Sequence, residues 1–261
     1  MNNVLYVGAT GIAGWNALQR MESRYIETVS KDSTVTREVE YFKGNFISET
    51  DSQKLVGDFR MLSVALKAFG LEGDIANKAF IRKVLESDLS DEKSLANRLS
   101  DKRYLRLAEA FSFSGNDEFG ETHLALTEQI SEAFIEREFE RRIGEGDANL
   151  RLALNARREL MAMSSRDSSD TTLWYEVLGN PPLRSVFTSA LSLPENFSKL
   201  PIDRQYSEIT SRAVRHFGTS SFSAITSSGS MDQLINNFLA RSQLQASPSL
   251  SSYEIALSIL S

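Results

Sequence analysis

The sequence contains no cysteine among its 261 residues. Without thiols the chain can form neither a disulfide scaffold nor a thiolate metal site, and it has no cysteine nucleophile. Its two histidines, His123 and His216, lie far apart in sequence, so the paired-histidine helix motif of zinc hydrolases is absent as well. We therefore predict no metal site.

The chain also lacks an excess of positive charge, because its formal net charge is -6. Binding to a phosphate backbone requires a basic footprint, so we expect no nucleic-acid partner. No apolar run approaches the ~20 residues that a membrane helix needs. The short run Val4 to Val7 has neither the length nor the basic flank of a signal peptide. The sequence predicts a soluble chain without a membrane span or a cleaved export signal.

Familiar catalytic motifs are missing too. The sequence has no GxSxG elbow, no GxxxxGK[ST] phosphate loop and no calcium loop of alternating acids. Two polar segments contain carboxylates that could be imagined as acid/base pairs. One segment contains Asp167 and Asp170, and the other contains Glu136, Glu138 and Glu140. A catalytic carboxylate needs surroundings that shift its pKa, which polar loops and salt-bridged faces seldom supply. We therefore nominate no catalytic, cofactor-binding or metal-binding residue.

What the sequence does contain is helical periodicity. Its clearest pattern predicts one buried apolar face with steps of three and four residues, made of Leu55, Phe59, Leu62, Leu66 and Phe69. Thr50 and Gln53 have the spacing of a capping box, and Gly70 can adopt the left-handed conformation that ends a helix. The pattern predicts one continuous helix from about Asp51 to Phe69.

Other helices are predicted from caps and charge patterns. Asp74, Ser90 and Asp203 are candidate N-caps, Ser230 and Gln233 form a second capping box, and Thr219 to Gly229 is expected to be a loop. A long helix is predicted from about Glu121 to Ile143. Its charged run EREFERR is interpreted as a solvated face on which Glu138 can pair with Arg142.

These patterns predict an all-α, multi-helix globular bundle. The segment Gly144 to Asp147 is the clearest internal boundary, since its glycines can end one helix and Asp147 can cap the next. The predicted organisation is a glycine-rich segment at 1–13, a first helical lobe at 14–144, a second at 147–244 and a serine-rich tail at 245–261. Whether the two lobes form one domain or two is left open. Trp15 and Trp174 are interpreted as core anchors.

The N-terminal segment Gly8 to Gly14 imitates the phosphate loop of dinucleotide-binding oxidoreductases, because glycines follow an apolar run and precede a helix. Such a loop requires a surrounding parallel sheet, and no Val/Ile-rich strands alternate with the helices that follow. A dinucleotide-dependent oxidoreductase is therefore the alternative function. The preferred interpretation is a glycine-rich lead into the first helix.

Several motifs together resemble a bacterial family catalogued as domain of unknown function 1217. They are Gly11-Ile12-Ala13-Gly14-Trp15, Ala65-Leu66-Lys67-Ala68-Phe69-Gly70-Leu71, Asn77-Lys78-Ala79-Phe80-Ile81, Gly179-Asn180-Pro181-Pro182-Leu183-Arg184 and Phe238-Leu239-Ala240-Arg241-Ser242-Gln243. The resemblance spans roughly Gly11 to Leu244. It implies a mainly alphaproteobacterial family whose genes often lie near flagellar genes, with no established activity or ligand.

We therefore predict a non-enzymatic interaction or assembly protein connected with the bacterial flagellum. Its expected partner is a protein, such as a flagellar component, and no small-molecule ligand or cofactor is predicted. We expect a cytoplasmic location. The alternative is export through the flagellar apparatus, which would suit a chain without cysteine that has a glycine-rich start and a serine-rich tail. An enzyme of unrecognised type, with a site near Gly144 to Asp147, is a third reading.

Overall fold

The computed structural model describes residues 4–47, 50–111 and 119–246. Within these ranges every regular element is a helix and no strand occurs. The predicted all-α fold class is therefore confirmed. The predicted serine-rich tail at 245–261 lies outside the described residues beyond Ala246.

The described α-helices are α1 Gly11–Ser30, α2 Ser33–Asn45, α3 Ser52–Gly57, α4 Phe59–Phe69, α5 Lys78–Leu85, α6 Leu95–Arg98, α7 Arg103–Phe111, α8 Phe119–Gly146, α9 Ala148–Ser164, α10 Asp170–Gly179, α11 Pro181–Ala190, α12 Ile202–Phe217, α13 Phe222–Ile225 and α14 Ser228–Ala246. Short 3₁₀ turns occupy Glu72–Asp74 and Phe197–Lys199. The predicted long helix is confirmed as α8.

The described residues fall into two compact units. The first comprises residues 4–6, 18–47, 50–111, 119–146 and 175–180, and the second comprises residues 7–17, 147–174 and 181–246. The lobe bounds expected from the sequence, 14–144 and 147–244, stay predictions. Locally, Asp147 caps α9 as predicted, because its side chain accepts the backbone N–H groups of Asn149 and Leu150.

The first unit is built around α4, which packs against α8 and α2. Leu62, Leu66 and Phe42 have no exposed surface, and Phe134 and Phe139 of α8 are buried as the periodicity predicts. Full burial of a side chain of this size stabilises a fold by about 1.5–3 kcal/mol. The packing of α4 against α8 and α2 therefore contributes several such buried side chains to the core of the unit.

A smaller cluster forms where α5, α6 and α7 meet, around Val84, Ala96 and Ala108. The ring of Tyr104 packs edge-on against Phe80, with 5.2 Å between the ring centroids. Its hydroxyl donates to Oδ2 of Asp74 at 2.6 Å. Burial, and then this hydrogen bond, raise the pKa of Tyr104. The hydrogen bond ties α7 to the turn that precedes α5.

The second unit is built from α9, α11 and α14, which pack against one another. Trp174 is fully buried and its indole N–H donates to the carbonyl oxygen of Ser220 at 2.9 Å. Its ring contacts Phe187 and Phe222 edge-on, at centroid distances of 5.4 and 5.8 Å. Trp15 is buried as well. The interpretation of both tryptophans as core anchors is confirmed.

The single helix predicted from Asp51 to Phe69 is wrong, because the chain breaks at Asp58 into α3 and α4. Asp51, and not Thr50, caps α3 by accepting the N–H of Lys54 at 2.7 Å. The hydroxyl of Thr50 instead accepts the N–H of Ile47. A short carboxylate side chain can accept hydrogen bonds from nearby backbone N–H groups, and these bonds compete with the hydrogen bonds of a continuous helix. The carboxylate of Asp58 therefore favours the start of a new helix at this position.

The predicted apolar face changes with the break. Phe59 now begins a helix and is 61% exposed, while Phe69 at the other end of α4 is only half-buried. Gly70 does end the helix as predicted, with a left-handed φ of 69°.

Three predicted N-caps are wrong. Asp74 does not cap α5, because its carboxylate bonds the side chains of Asn77 and Tyr104 instead. Ser94, and not Ser90, precedes α6. Asp203 lies inside the first turn of α12, whose N-cap is Pro201.

The predicted loop from Thr219 to Gly229 is wrong as well. It contains α13, and α14 already begins at Ser228, so the capping box expected at Ser230 and Gln233 does not form. Phe222 and Ile225 of α13 have no exposed surface. Their burial outweighs the low helix propensity of the surrounding serines.

Candidate functional site

An exposed aromatic ring stands at the break between α3 and α4. Asp58 has extended backbone angles and accepts the N–H groups of Arg60 and Met61 at 2.9 and 3.0 Å through Oδ1. Phe59 is consequently the first residue of α4 and precedes the part of the helix that faces the core. Its side chain is 61% exposed, the largest exposure of any phenylalanine that the structure describes.

Two neighbouring side chains hold this corner in place. The hydroxyl of Tyr41 on α2 donates to Oδ2 of Asp58 at 2.6 Å. The guanidinium of Arg60 stacks over the ring of Tyr41, 3.7 Å from its centroid. We call Tyr41, Asp58, Phe59 and Arg60 the aromatic–arginine patch.

Further bonds fix the arginine of the patch. Nη2 of Arg60 donates to the carbonyl oxygen of Arg37 at 3.0 Å and lies 3.3 Å from Oε1 of Glu38. The guanidinium therefore bonds α2 at two points while its flat face covers Tyr41. Stacking of this kind is favourable because the face of an aromatic ring carries partial negative charge.

The electrostatics of the patch favour an ionised Asp58. Burial opposes ionisation, but hydrogen bonds from Tyr41 and from the amides of Met61 and Arg60 outweigh it and lower the pKa of Asp58. The same hydrogen bond to Asp58 raises the pKa of Tyr41. Near neutral pH the carboxylate is therefore charged and the phenol is neutral. Neither group is poised to exchange a proton there, so the arrangement suits binding better than acid/base catalysis.

A second cluster of charged groups lies on α8. Oε1 of Glu138 accepts from Nε of Arg142 at 2.9 Å and from Nη2 of Arg141 at 2.7 Å. Arg142 also pairs with Asp32, with 3.2 Å between Nη2 and Oδ1. Asp32 caps α2, and Arg141 has a further ion pair with Glu145. We call these five residues the charge cluster.

The charge cluster corrects an expectation from the sequence. The run EREFERR was interpreted as a solvated face, yet Glu138, Glu140 and Arg142 are buried. The predicted pairing of Glu138 with Arg142 is confirmed. Burial is possible because each charge has several partners, whereas an unpaired buried charge would be very costly.

The pKa shifts of the charge cluster follow from these pairs. Burial opposes ionisation of Glu138, but hydrogen bonds from Arg141 and Arg142 lower its pKa overall. The hydrogen bond from Arg142 lowers the pKa of Asp32. These carboxylates stay charged well below neutral pH. The cluster is therefore suited to joining α8 to the start of α2.

The two histidines belong to different units, and the structure does not bring them together. Nε2 of His123 lies 2.5 Å from the carbonyl oxygen of Phe46, and its ring stacks on that of Phe46 with 4.9 Å between the centroids. The carbonyl oxygen of His216 accepts from the side chain of Gln233. In the described ranges, no group of three or more histidine, aspartate or glutamate side chains is arranged to hold a metal ion.

The remaining carboxylates considered from the sequence are placed as follows. Oδ1 of Asp170 accepts the N–H of Phe222 at 3.1 Å and so anchors α13, whereas Asp167 is exposed. Glu140 pairs with Arg137 at 3.4 Å, and Glu136 is half-buried. Asp170 therefore has a structural role that the sequence pattern did not indicate.

The glycine-rich N-terminus is packed against protein. The position that a side chain on Gly11 would occupy is filled by the side chain of Gln243. A side chain on Gly14 would meet the carbonyl group of Ala9 and, at 3.3 Å, the side chain of Leu150. These glycines allow α1 to approach α9 and α14 closely. Residues 4–10 form no strand, so the described chain has no sheet to support a phosphate loop.

Within the described ranges, none of the helices is both long enough and apolar enough to cross a membrane.

Comparison with known proteins gives a family and a similar solved structure. A family model described as "Protein of unknown function (DUF1217)" matches residues 68–227. The X-ray crystal structure of protein AGR_C_984 from Agrobacterium tumefaciens is similar to this chain, with a TM-score of 0.74 and 26% sequence identity. The match covers 90% of this chain and 93% of that protein. No curated protein matches the chain.

Proposed function

The chain belongs to the DUF1217 family of proteins of unknown function, and from this membership we propose that it is a non-enzymatic protein-binding module that associates with a component of the bacterial flagellum. The aromatic–arginine patch is the surface that we assign to this association. Phe59 is its central anchor.

The observation that carries the proposal is an exposed ring on a rigid base. Phe59 is 61% exposed, while the adjacent Tyr41 and Arg60 are held by hydrogen bonds and stacking. Aromatic residues and arginine are enriched at protein interfaces, and a few buried anchors supply most of the binding energy. Because Tyr41 and Arg60 are already ordered, they would lose little conformational entropy when a partner binds.

The non-enzymatic part of the proposal is supported by the charged groups. The carboxylates of Asp32, Asp58 and Glu138 are paired with hydrogen-bond donors, and their pKa shifts all favour the charged form. A general acid or base working near neutral pH needs a pKa shifted the other way. The oxidoreductase alternative has no support from the packed glycines at Gly11 and Gly14.

The flagellar part of the proposal is supported by the genomic setting that the family resemblance implies. We prefer a cytoplasmic location with an accessory role, and export through the flagellar apparatus is the alternative. Either location is compatible with a surface that binds another protein.

A capture experiment tests the proposal. The full chain is immobilised and exposed to extracts of flagellated cells, and bound proteins are identified by mass spectrometry. We expect a flagellar component to bind the wild type and to be lost with Phe59→Ala. Leu124→Ala is the matched control, because Leu124 is 72% exposed in the same unit and has no part in the patch.

Two results would contradict the proposal. Capture of no flagellar component by the wild type would remove the flagellar partner. Equal capture by Phe59→Ala and Leu124→Ala would show that the patch is not the binding surface. Unchanged melting temperatures for both variants are the control for folding, and they are expected because both side chains are exposed.

A further inference from the structure

Residues 4–6 lie on the surface of the first unit without a backbone partner. They belong to no helix, and in the described ranges no backbone–backbone hydrogen bond reaches them. Val4 is 50% exposed and Tyr6 is 76% exposed, whereas Leu5 between them is buried. Exposure that alternates with a period of two is the pattern of a β-strand. We call residues 4–6 the edge segment.

Two helices of the first unit hold the edge segment in place. The hydroxyl of Tyr25 on α1 donates to the carbonyl oxygen of Tyr6 at 3.4 Å. A side chain on Gly146, at the end of α8, would meet the carbonyl oxygen of Leu5 at 3.5 Å and Cγ1 of Val4 at 3.8 Å. The buried side chain of Leu5 is a third anchor. The segment is therefore fixed on a folded base before any partner binds.

The surface at the edge segment is apolar and uncharged. Residues 4–10 contain no charged side chain. Met21 is 39% exposed and lies one helical turn before Tyr25, the residue that reaches Tyr6. An exposed apolar patch on a folded protein marks an interaction site, and an unpaired extended backbone is a template for a second strand. The edge segment combines both features.

The two ends of the edge segment differ in charge. Arg24 is exposed and lies three residues after Met21 on the same side of α1, at the Tyr6 end of the segment. Glu145 of the charge cluster lies at the Val4 end, where α8 finishes. The carboxyl end of a helix carries partial negative charge, which adds to that of the glutamate. One end is therefore more positive and the other more negative.

This arrangement is complementary to itself. If two copies of the segment pair antiparallel about Leu5, Val4 of each copy lies opposite Tyr6 of the other. Pairs of an aromatic and a β-branched side chain across two strands are favourable. The two Leu5 side chains lie on the same side of the paired strands, so each stays in its own core. The two-fold axis also places Arg24 of each copy on the side of the other copy's α8 end.

We propose that the edge segment is a self-association surface, at which two copies of this chain pair as an antiparallel two-stranded ribbon. Three residues from each copy bury much less than the ~800 Å² per partner of a standard stable interface, so the dimer is weak and forms at high concentration. A dimer carries two aromatic–arginine patches and binds a repetitive partner more tightly than a monomer does. The edge segment shares no residue with that patch, so the pairing does not depend on the proposed partner.

Cysteine cross-linking of the full chain tests the pairing and its register. The chain has no cysteine of its own, so only introduced thiols can react. Opposite residues of an antiparallel ribbon have Cα atoms about 4.5–5.5 Å apart, within reach of a disulfide. Identical residues of the two copies are diagonal neighbours about 7–8 Å apart, so a mixture of Val4→Cys and Tyr6→Cys chains should give roughly fivefold more covalent dimer than either variant alone. A mixture of Tyr6→Cys and Leu124→Cys chains is the matched control, since Leu124 is exposed elsewhere in the same unit.

Sedimentation velocity measures the association without cross-links. The wild type should be monomeric at about 10 µM and contain dimer at about 1 mM. Tyr6→Ser should weaken the dimer about tenfold, because both cross-strand pairs are lost. Leu124→Ser is the control and should associate like the wild type. Both side chains are exposed, so neither variant should change the melting temperature.

Each result either supports or overturns the pairing. More covalent dimer in the Val4→Cys and Tyr6→Cys mixture than in all other samples, together with a dimer that Tyr6→Ser weakens, supports it. Equal linking in every sample would show random collision and overturn it. A wild type that stays monomeric at 1 mM would leave the edge segment for a strand of another protein, and would overturn the proposal as well. A dimer that Tyr6→Ser does not weaken would show that the copies meet at another surface.

Discussion

The hydroxyl of Tyr41 lies 2.6 Å from Oδ2 of Asp58, the same carboxylate whose Oδ1 caps α4. One side chain therefore starts a helix and at the same time fixes that helix to α2. The guanidinium of Arg60, the second residue of α4, stacks over the ring of Tyr41. The exposure of Phe59 follows from this geometry, because the cap sets where the first turn of α4 begins.

Replacing Asp58 with alanine should destabilise the first unit by about 2–3 kcal/mol. Loss of an N-cap costs about 0.5–2 kcal/mol, and the hydroxyl of Tyr41 loses a charge-assisted hydrogen bond in addition. Asp51→Ala is the control, because Asp51 caps α3 and has no such tyrosine contact. We expect it to cost about 1 kcal/mol. Urea denaturation measures both values, and equal losses would show that the contact with Tyr41 contributes nothing.

The break at Asp58 could be foreseen only in part from the sequence. Gly57 followed by Asp58 is a helix stop followed by an N-cap, but the apolar spacing of Leu55, Phe59 and Leu62 continues across it and predicts one helix. The spacing of apolar residues alone cannot distinguish one continuous helix from two consecutive helices whose apolar residues continue the same spacing. The end of α4 at Gly70 and the start of α9 after Asp147 were predictable from the sequence. A left-handed glycine and a capping side chain each depend only on residues close by in the sequence.

The core of α4 gives a second prediction. Leu66→Ala should cost about 2–5 kcal/mol, because Leu66 has no exposed surface and its loss leaves a cavity against α8. Phe69 is only half-buried, so Phe69→Ala should cost less, at about 1–2 kcal/mol. Chemical denaturation of both variants checks the order. A larger loss for Phe69→Ala would place that ring in the core, as the periodicity alone suggested.

The buried pairs of α8 give a third prediction. Glu138→Gln should destabilise the protein by about 1–3 kcal/mol, because the amide oxygen of glutamine can still accept from Arg141 and Arg142 but no longer carries the negative charge that offsets them. Glu128→Gln is the control, since Glu128 pairs with Lys43 at the exposed surface and should matter by less than about 1 kcal/mol. If calorimetry gives similar small losses for both, the charge cluster is effectively solvated.

Acid should weaken the fold in a defined direction. The folded-state pKa values of Asp32, Asp58 and Glu138 are lowered, so their contribution is complete above the ordinary carboxyl pKa of about 4 and is lost as the pH falls through the folded values. The free energy of unfolding should therefore fall as the pH is lowered below about 4. Asp58→Asn should show a smaller fall, because one of these groups no longer titrates. An unfolding free energy that stays constant or rises on acidification would contradict these shifts.

The candidate sites were harder to foresee than the fold. The charged run of α8 has the same spacing whether it faces solvent or packs against the cap of α2, so sequence could predict the pair of Glu138 and Arg142 but not its burial. The left-handed backbone of Ser192 could not be foreseen either, because sequence rules assign such a conformation to glycine or asparagine.

The most direct test of the central claim is a swimming assay in the encoding bacterium. The chromosomal gene is deleted and then restored as the wild type, as Phe59→Ala, as Leu124→Ala, or with conservative changes at Asp167, Asp170, His123 and His216, with protein levels checked in each strain. We predict that deletion impairs swimming, that Phe59→Ala fails to restore it, and that every other version restores it. Normal swimming in the deletion strain, or full rescue by Phe59→Ala, would contradict the account.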